Sequence, residues 1–247
     1  MRLTIIGCGD AFGAGGRLQT SFYVCSRPST FLIDCGASSL IGMRRLGLQP
    51  NDIDTVFVTH LHGDHFGGLP WLLVDAQYVS KRTRPLVVTG PQGIEARFVT
   101  AAEALYPGLT TGERGFELKF LEYEERKPLA VGGVTVVPFE VQHPSGAPPY
   151  ALRFALDGKV IAFTGDTGWV DTLYAVAQGA DLFISECFQY DVRIPIHLDY
   201  ATIDANYAKL GAKRVLLTHM GEAMLSEAGK VDASRYLIAH DGMTLDL

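Results

Sequence analysis

The sequence predicts a single domain of layered β-sheets with α-helices packed on the outside. Short apolar runs rich in β-branched and aromatic residues recur along the chain, and segments with helical periodicity lie between them. No linker divides the 247 residues, and a chain of this length can bury a substantial core. We therefore expect residues 1–247 to form one domain.

Strands are predicted where such an apolar run is bounded by Gly, Pro, Asn or Asp. They cover 3–7, 21–25, 30–34, 55–59, 86–89, 116–123, 134–141, 151–156 and 160–164. The last two are separated by Asp157-Gly158-Lys159 and are predicted to form a hairpin. The similar stretches VFVTH at 56–60 and VLLTH at 215–219 indicate either two pseudo-symmetric halves or a coincidence.

Helices are predicted where apolar residues recur at intervals of three and four. One such segment, 69–76, follows Gly67-Gly68, and another, 203–210, follows Asp199. A third, 38–46, closes at Gly47, a residue that favours the end of a helix.

Composition and charge narrow the class of partner. The net charge is −6, whereas surfaces that bind nucleic-acid backbones are usually rich in Lys and Arg. We expect a small anionic substrate and no stable nucleic-acid complex, and the sequence leaves a homodimer open. No signal peptide or membrane span is evident, and the four cysteines form no C-x-x-C pair, so a cytoplasmic protein with reduced core thiols is expected.

Three of the seven histidines crowd into the stretch THLHGDHFGG at 59–68. Alternate side chains of an extended segment point the same way, so His60 and His62 can hold one cation. Asp64 and His65 follow Gly63, where the chain can turn towards the next helix and face a second point nearby. Imidazole and carboxylate together suit Zn²⁺, although Mn²⁺ or Fe would also be tolerated.

Further polar residues follow other predicted strands. His143 comes after 134–141, Asp166 after 160–164, and His219 directly after the apolar run VLLT. Loops gather at strand ends to make sites in layered sheets. The repeated order of strand and polar residue predicts that these side chains share one site with the histidine cluster.

The run HLHGDH resembles the H-x-H-x-D-H signature of the metallo-β-lactamase superfamily, and FLIDCG at 31–36 extends the resemblance towards the start of the chain. The resemblance implies an α+β fold, a four-layer αββα sandwich, with two divalent metal ions at one edge of the sheets. The implied ligands are His60, His62 and His143 for the first metal, Asp64, His65 and His219 for the second, and Asp166 as a bridge. A hydroxide bridging the metals would be the nucleophile, oriented by Asp64.

The Glu186 and His197 pair resembles that of the tRNase Z-like phosphodiesterases. In that branch the histidine serves the departing oxygen as a general acid and the glutamate orients the ring. The alternatives are a helix cap for His197 and an incidental Glu186. Tyr190 or Tyr200 could instead supply a phenol hydrogen bond, as in lactone-hydrolysing relatives.

Two departures from related branches narrow the substrate. Asp166 stands where the commonest antibiotic-hydrolysing branch has cysteine, so β-lactam cleavage is not expected. Only 22 residues separate His143 from Asp166, which leaves no room for the RNA-holding arm of true tRNase Z. The glycine-rich stretch 7–16 is predicted to turn near the site mouth, where Arg17 could meet a substrate phosphate or form a surface ion pair.

The sequence therefore favours a dinuclear metal-dependent hydrolase acting on a small or cyclic nucleotide-like phosphodiester. Hydrolysis of a lactone or thioester is the alternative within the same fold. A metal-holding binding protein without turnover is the second alternative, against which the intact ligand set and the Glu186 and His197 pair both argue.

Overall fold

Fourteen strands and seven α-helices form the protein, and the computed structural model describes residues 1–247. The strands are β1 (Arg2–Gly7), β2 (Ser21–Cys25), β3 (Thr30–Ile33), β4 (Thr55–Phe57), β5 (Leu86–Gly90), β6 (Leu118–Glu122), β7 (Leu129–Val131), β8 (Val134–Glu140), β9 (Tyr150–Leu156), β10 (Lys159–Phe163), β11 (Leu182–Glu186), β12 (Val215–Thr218), β13 (Tyr236–Ile238) and β14 (Thr244–Asp246). The helices are α1 (Ser39–Arg45), α2 (Gly63–Phe66), α3 (Leu69–Val74), α4 (Ile94–Leu105), α5 (Thr172–Ala177), α6 (Tyr200–Leu210) and α7 (Glu222–Glu227).

The strands make two seven-stranded sheets, ordered β14-β1-β2-β3-β4-β5-β6 and β13-β12-β11-β10-β9-β8-β7. In each sheet four neighbouring strands are parallel, β3 to β6 in the first and β10 to β13 in the second. The other three strands of each sheet add in antiparallel fashion. The two halves are therefore pseudo-symmetric. In this symmetry β4 corresponds to β11, so the similar stretches VFVTH and VLLTH do not mark equivalent strands.

The sheets pack face to face around a core rich in phenylalanine. The rings of Phe22 and Phe163 lie 5.2 Å apart between centroids, and those of Phe57 and Phe154 lie 5.1 Å apart. The outer face of the first sheet packs against α1, α3 and α4, and that of the second against α5, α6 and α7. The four-layer αββα sandwich is thus confirmed.

The central strands are buried on both faces. In β3, Phe31 and Ile33 point between the sheets and Leu32 points towards the outer helices, and all three side chains are fully buried. Such strands give continuous apolar runs instead of alternating ones. This is why the first sheet could be predicted from short hydrophobic segments.

Most of the predicted elements are present. The 151–164 hairpin is β9 and β10, and its turn residues Asp157 and Gly158 have φ of 49° and 71°, as a tight hairpin turn requires. Helices α1, α3 and α6 match the predicted segments, and the Asp199 carboxylate caps α6 by accepting a hydrogen bond from the Thr202 N–H at 2.7 Å. The structure adds α2, α4, α5 and α7 and the strands β7, β11, β13 and β14, which the sequence patterns did not single out.

The cysteines are free, and three of them lie in the core as predicted. Burial raises the pKa of the Cys35 thiol to about 12, so this thiol is unreactive near neutral pH. The prediction is wrong for Cys25, which is exposed because it ends β2, where the chain turns at residues 26–29. Among the helices, none has both the length and the apolar character needed to cross a bilayer.

Candidate metal centre

The predicted site residues lie on loops that follow strands at one edge of the sandwich. His60 and His62 follow β4, and Asp64 and His65 lie on the short helix α2. In the second sheet β8, β10 and β12 run in the same direction, so the loops after them open on a common edge. These loops carry His143, Asp166 and His219, and the structure brings all seven side chains together.

A first group consists of His60, His62 and His143. One ring nitrogen of each lies within 4.8 Å of the others, and His62 Nδ1 is 3.1 Å from His143 Nε2. Two nitrogens bound at about 2.0–2.1 Å to one tetrahedral zinc ion would lie roughly 3.3 Å apart, which fits this spacing. His60 Nε2 is buried without a hydrogen-bond partner, a costly state that a cation would relieve.

A second group consists of Asp64, His65, His219 and Asp166. Asp64 Oδ2 lies 3.2 Å from both His65 Nε2 and His219 Nε2. The carboxylate of Asp166 is 3.3 Å from His65 Nε2 and 3.4 Å from His219 Nε2. These near-equal separations match the edges of one coordination polyhedron.

Asp166 lies between the two groups. Its Oδ2 atom is 3.8 Å from His60 Nε2 and 3.9 Å from His143 Nε2, while its Oδ1 atom faces His65 and has no hydrogen-bond partner. A carboxylate in this position can offer an oxygen to each group, as the bridging assignment requires. The donor set therefore fits divalent metal ions, and the assignment of each ligand stays a prediction.

The electrostatics of the second group favour positive charge. Burial lowers the pKa of His219, but the carboxylates of Asp166 and Asp64 outweigh burial and raise that pKa to about 9. The pKa of His65 is raised well above its ordinary value by the same carboxylates, against the same opposing burial. In the first group, burial and the neighbouring His65 charge hold the pKa of His60 well below its ordinary value. A cation would take the place of the protons that the carboxylates attract.

Asp34 is a site residue that the sequence analysis missed. It follows β3, is fully buried, and adopts the left-handed conformation with φ of 58°. Its carboxylate accepts hydrogen bonds from His65 Nδ1 at 2.6 Å, the Thr59 N–H at 2.7 Å and the Thr59 hydroxyl at 2.8 Å. Thr59 Oγ1 is in turn 3.1 Å from His60 Nδ1, so one carboxylate supports a histidine in each group. The available signal was an aspartate directly after an apolar strand in FLIDCG.

Glu186 and His197 form the predicted pair beside the second group. His197 Nδ1 lies 3.2 and 3.1 Å from the two carboxylate oxygens of Glu186, and the ring stacks on Phe188 with centroids 4.7 Å apart. Glu186 also accepts a hydrogen bond from the Thr167 N–H, so its oxygens are already engaged. Burial lowers the pKa of His197, but the bond to Glu186 outweighs it and leaves the pKa above its ordinary value.

The helix-cap alternative for His197 is wrong, because Asp199 caps α6. The two tyrosines do not reach the site either. Tyr190 and Tyr200 stack on each other with centroids 5.3 Å apart, and the Tyr200 hydroxyl accepts a hydrogen bond from the Asp232 N–H. Neither phenol lines the cavity beside the centre.

That cavity has a volume of about 340 Å³. One part of its wall is made by His62, Asp64, His143, Asp166, His197 and His219, and the other part by Ala11, Phe12, Gly63, Pro144, Phe188 and Ile196. The wall contains no Lys or Arg, and Arg17 lies outside it. Any anionic ligand must therefore be neutralised mainly by cations at the centre and by His197.

The fold and this centre define a metal-dependent hydrolase of the metallo-β-lactamase superfamily, on its tRNase Z-like branch. More narrowly, the chain belongs to the family described as anti-Pycsar protein Apyc1, whose model matches residues 1–242.

Individual relatives agree with this placement. Ribonuclease Z of Lachnoclostridium phytofermentans is 32% identical over 158 residues, which are 64% of this chain and 50% of that protein, so the match spans about half the relative. The crystal structure of the metallo-β-lactamase fold protein YhfI from Bacillus subtilis superposes with a TM-score of 0.79 at 23% identity, covering 99% of each chain. A diphosphatase from the PhnP family superposes with a TM-score of 0.80 at 19% identity, covering 100% of this chain and 97% of that one.

Proposed function

We propose that the protein hydrolyses a small phosphodiester, cyclic or nucleotide-like, with two divalent metal ions, preferably Zn²⁺. The observation that carries this proposal is the Glu186 and His197 pair, which places an oriented imidazole on the wall of the cavity that the two ligand groups also line. Hydrolysis of a diester expels an alkoxide, and a general acid is most useful for such a poor leaving group.

The first ion would be held by His60, His62 and His143, and the second by Asp64, His65 and His219, with Asp166 between them. When bound, the ions would supply Lewis-acid stabilisation of the phosphoryl oxygens and an activated water nucleophile at neutral pH. Asp34 fixes the ring of His65 so that Nε2 points into the centre.

Three side chains would orient the attacking water and protonate the leaving group. Asp64 lies on the cavity wall beside both histidines of the second group, where its carboxylate can orient the attacking water. As the bond between phosphorus and the leaving oxygen breaks, His197 donates a proton to that oxygen. Glu186 keeps the imidazole charged and correctly turned, because both its carboxylate oxygens face Nδ1.

The wall of the cavity supports a substrate with little charge of its own. A diester carries one negative charge, which suits a cavity without Lys or Arg better than a polyphosphate does. The names of the relatives, ribonuclease Z and diphosphatase, both denote cleavage at phosphate groups, which also favours this chemistry.

Long RNA is a poor candidate substrate. The segment 144–165 is largely taken up by β9 and β10, and its only basic residues are Arg153 and Lys159. Arg153 donates a hydrogen bond to the Val176 carbonyl at 2.7 Å, which leaves less of its guanidinium for a phosphate. We therefore expect no stable nucleic-acid complex, and precursor transfer RNA should be a poor substrate at physiological salt.

The test is a comparison of substrates with metal-reconstituted protein. We expect cleavage of bis-p-nitrophenyl phosphate and of a nucleoside cyclic phosphate, little cleavage of a lactone or a thioester, and two equivalents of bound metal. The Asp166→Ala variant is the control, because it should lose metal and all activity on every substrate. Preferred cleavage of the lactone or thioester, or saturation at one metal, would overturn the proposal.

A further inference from the structure

Phe12 is the most exposed large apolar side chain of the protein, at 86%. It lies on the loop after β1, residues 8–17, and lines the cavity beside the metal centre. A single exposed apolar residue is ordinary on a protein surface. Two further observations distinguish Phe12 from such a residue.

The first observation is that the loop is braced so that it presents Phe12. The Asp10 carboxylate, only 2% exposed, accepts hydrogen bonds from the Phe12 N–H at 3.2 Å and the Ala14 N–H at 2.9 Å. The Gly15 N–H donates to Glu222 at 2.9 Å, which ties the far side of the loop to α7. The ring is therefore held out of the core by a fixed backbone, at a cost in apolar exposure that folding does not require.

The second observation is the position of the loop relative to the reacting atoms. The Cys8 carbonyl, at the start of the loop, accepts a hydrogen bond from the His219 N–H at 2.9 Å. Phe12 shares the cavity wall with Ala11, Pro144 and Ile196, whereas His219 and His197 lie on the ionisable part. A ligand that fills the cavity thus meets both ionisable side chains and an apolar, aromatic surface that includes Phe12.

We propose that Phe12 determines specificity by stacking on the base of a nucleotide substrate while the phosphodiester lies at the centre. This inference rests on the proposed function. Every nucleobase offers a flat face to an aromatic ring, so such stacking selects for the presence of a base and discriminates weakly among bases. No other residue with a free aromatic face of this exposure lines the cavity, since Phe188 is covered by His197.

The kinetic test compares two substrates that differ only in the base. Phe12→Ala should lower kcat/KM for adenosine 3′,5′-cyclic phosphate by about 5- to 150-fold, mainly through KM, because stacking is lost. The same variant should leave cleavage of the 3′,5′-cyclic phosphate of methyl riboside, which lacks a base, nearly unchanged. Phe12→Trp should keep the preference. Val79→Ala, which truncates another side chain of high exposure away from the cavity, is the matched control.

A binding test does not depend on turnover. In Phe12→Trp, the added indole should be quenched by the hydrolysis-resistant phosphorothioate of adenosine 3′,5′-cyclic phosphate and not by the cyclic phosphate without a base. The wild-type protein supplies the baseline for its two native tryptophans.

The outcomes distinguish failure of the proposed function from failure of the stacking role. If the wild-type protein cleaves neither cyclic phosphate nor any other diester, the proposed function itself fails. If it cleaves both and Phe12→Ala slows both equally, or if the indole is quenched equally by both ligands, hydrolysis stands and the stacking role is overturned.

Discussion

At the scale of single residues, Asp34 supports the candidate ligands from behind. Asp34 joins a histidine of each ligand group, one directly and one through Thr59. Its partner His65 lies 31 positions away in sequence, so no local pattern reveals the contact. The seven candidate ligands could be singled out because they lie in one dense motif or follow strands in an order that resembles a known family. Asp34 also follows a strand, but its contact with His65 exists only in the fold, as does the exposure of Phe12.

The Asp34→Asn variant should bind metal more weakly, because the amide removes the charge that orients His65. Removal of such a supporting group typically costs about 10–100-fold in metal affinity. Competition against a chromophoric chelator measures the loss. Asp54→Asn, which changes a carboxylate near Thr30 and Arg84 away from the centre, is the control. Equal affinity in Asp34→Asn and wild type would contradict the supporting role.

The His197→Ala variant should keep its metal and lose rate in proportion to the need for a proton. We expect a loss of roughly 10²–10⁴-fold on a diester with an alkoxide leaving group. A p-nitrophenolate leaving group departs without a proton and should be affected much less. Metal content and both rates are measured on the same preparation, and the general-acid role is wrong if both substrates slow equally or if metal is lost.

At the scale of elements, the pseudo-symmetry of the two sheets explains the placement of the site. β3 and β10 occupy equivalent positions, and each is followed by a buried aspartate, Asp34 and Asp166. Asp34 supports the histidines, and Asp166 lies between the two groups. A comparison of short sequence segments does not detect this relation, because the equivalent strands share a hydrophobic pattern but not residue identities.

Prediction from sequence succeeded for elements with strong local sequence signals. It failed for elements that are stabilised mainly by contacts with neighbouring strands or sheets. Strands such as β3 are continuous apolar runs, and α6 begins with a capping aspartate. By contrast, β7, β13 and β14 have three residues each and exist because longer strands beside them supply hydrogen-bond partners. Helix α4 buries only the narrow stripe of Ile94, Phe98 and Ala102, which gives a weak periodic signal.

Asp181 joins three parallel strands at the ends remote from the centre, and its loss should weaken the second sheet. Its carboxylate accepts hydrogen bonds from the Val160 N–H at 2.9 Å and from Lys213 at 2.8 Å, and the Lys213 bond is the main reason that the pKa of Asp181 lies below its ordinary value. Asp181→Asn should cost about 1 kcal/mol at neutral pH, judged from the usual contribution of a hydrogen bond.

The lowered pKa of Asp181 predicts how its contribution to stability depends on pH. A depressed pKa in the folded protein means that the contribution of Asp181 is present above the pKa of the unfolded chain and is lost as pH falls through the folded value. Urea unfolding of wild type and Asp181→Asn should therefore differ at neutral pH and converge in acid. A difference that stays constant with pH would show that the charge of Asp181 is not responsible.

At the scale of the whole molecule, the centre joins the two halves of the chain. His60, His62, Asp64 and His65 come from the loop after β4 of the first sheet, and His143, Asp166 and His219 come from the second sheet. Neither half has a complete set for both ligand groups. An ion held by either group would therefore join residues of both sheets and resist their separation.

Removal of metal should lower the unfolding temperature. A ligand that binds only the folded protein stabilises it by about 2.7 kcal/mol at one hundred times its dissociation constant. Thermal unfolding before and after chelation, followed by refilling with Zn²⁺, measures the effect. Glu186→Gln should respond like wild type because it keeps every ligand, whereas Asp166→Ala should respond little. An unchanged melting temperature on chelation of wild type would contradict this linkage.

The position of the last strand, β14, determines how the chain could be cut into two fragments that reassociate. β14 leaves the second half and pairs with β1 in the first sheet, at the position that β7 holds in the second. The exposed connection between β6 and β7, at 124–128, is then a natural place to cut. Two fragments made there would each carry an incomplete ligand set, and the second would bring β14 as a built-in strand to dock on the first. Catalysis by the mixed fragments would become a signal of their encounter, which makes this chain a starting point for a fragment-complementation reporter.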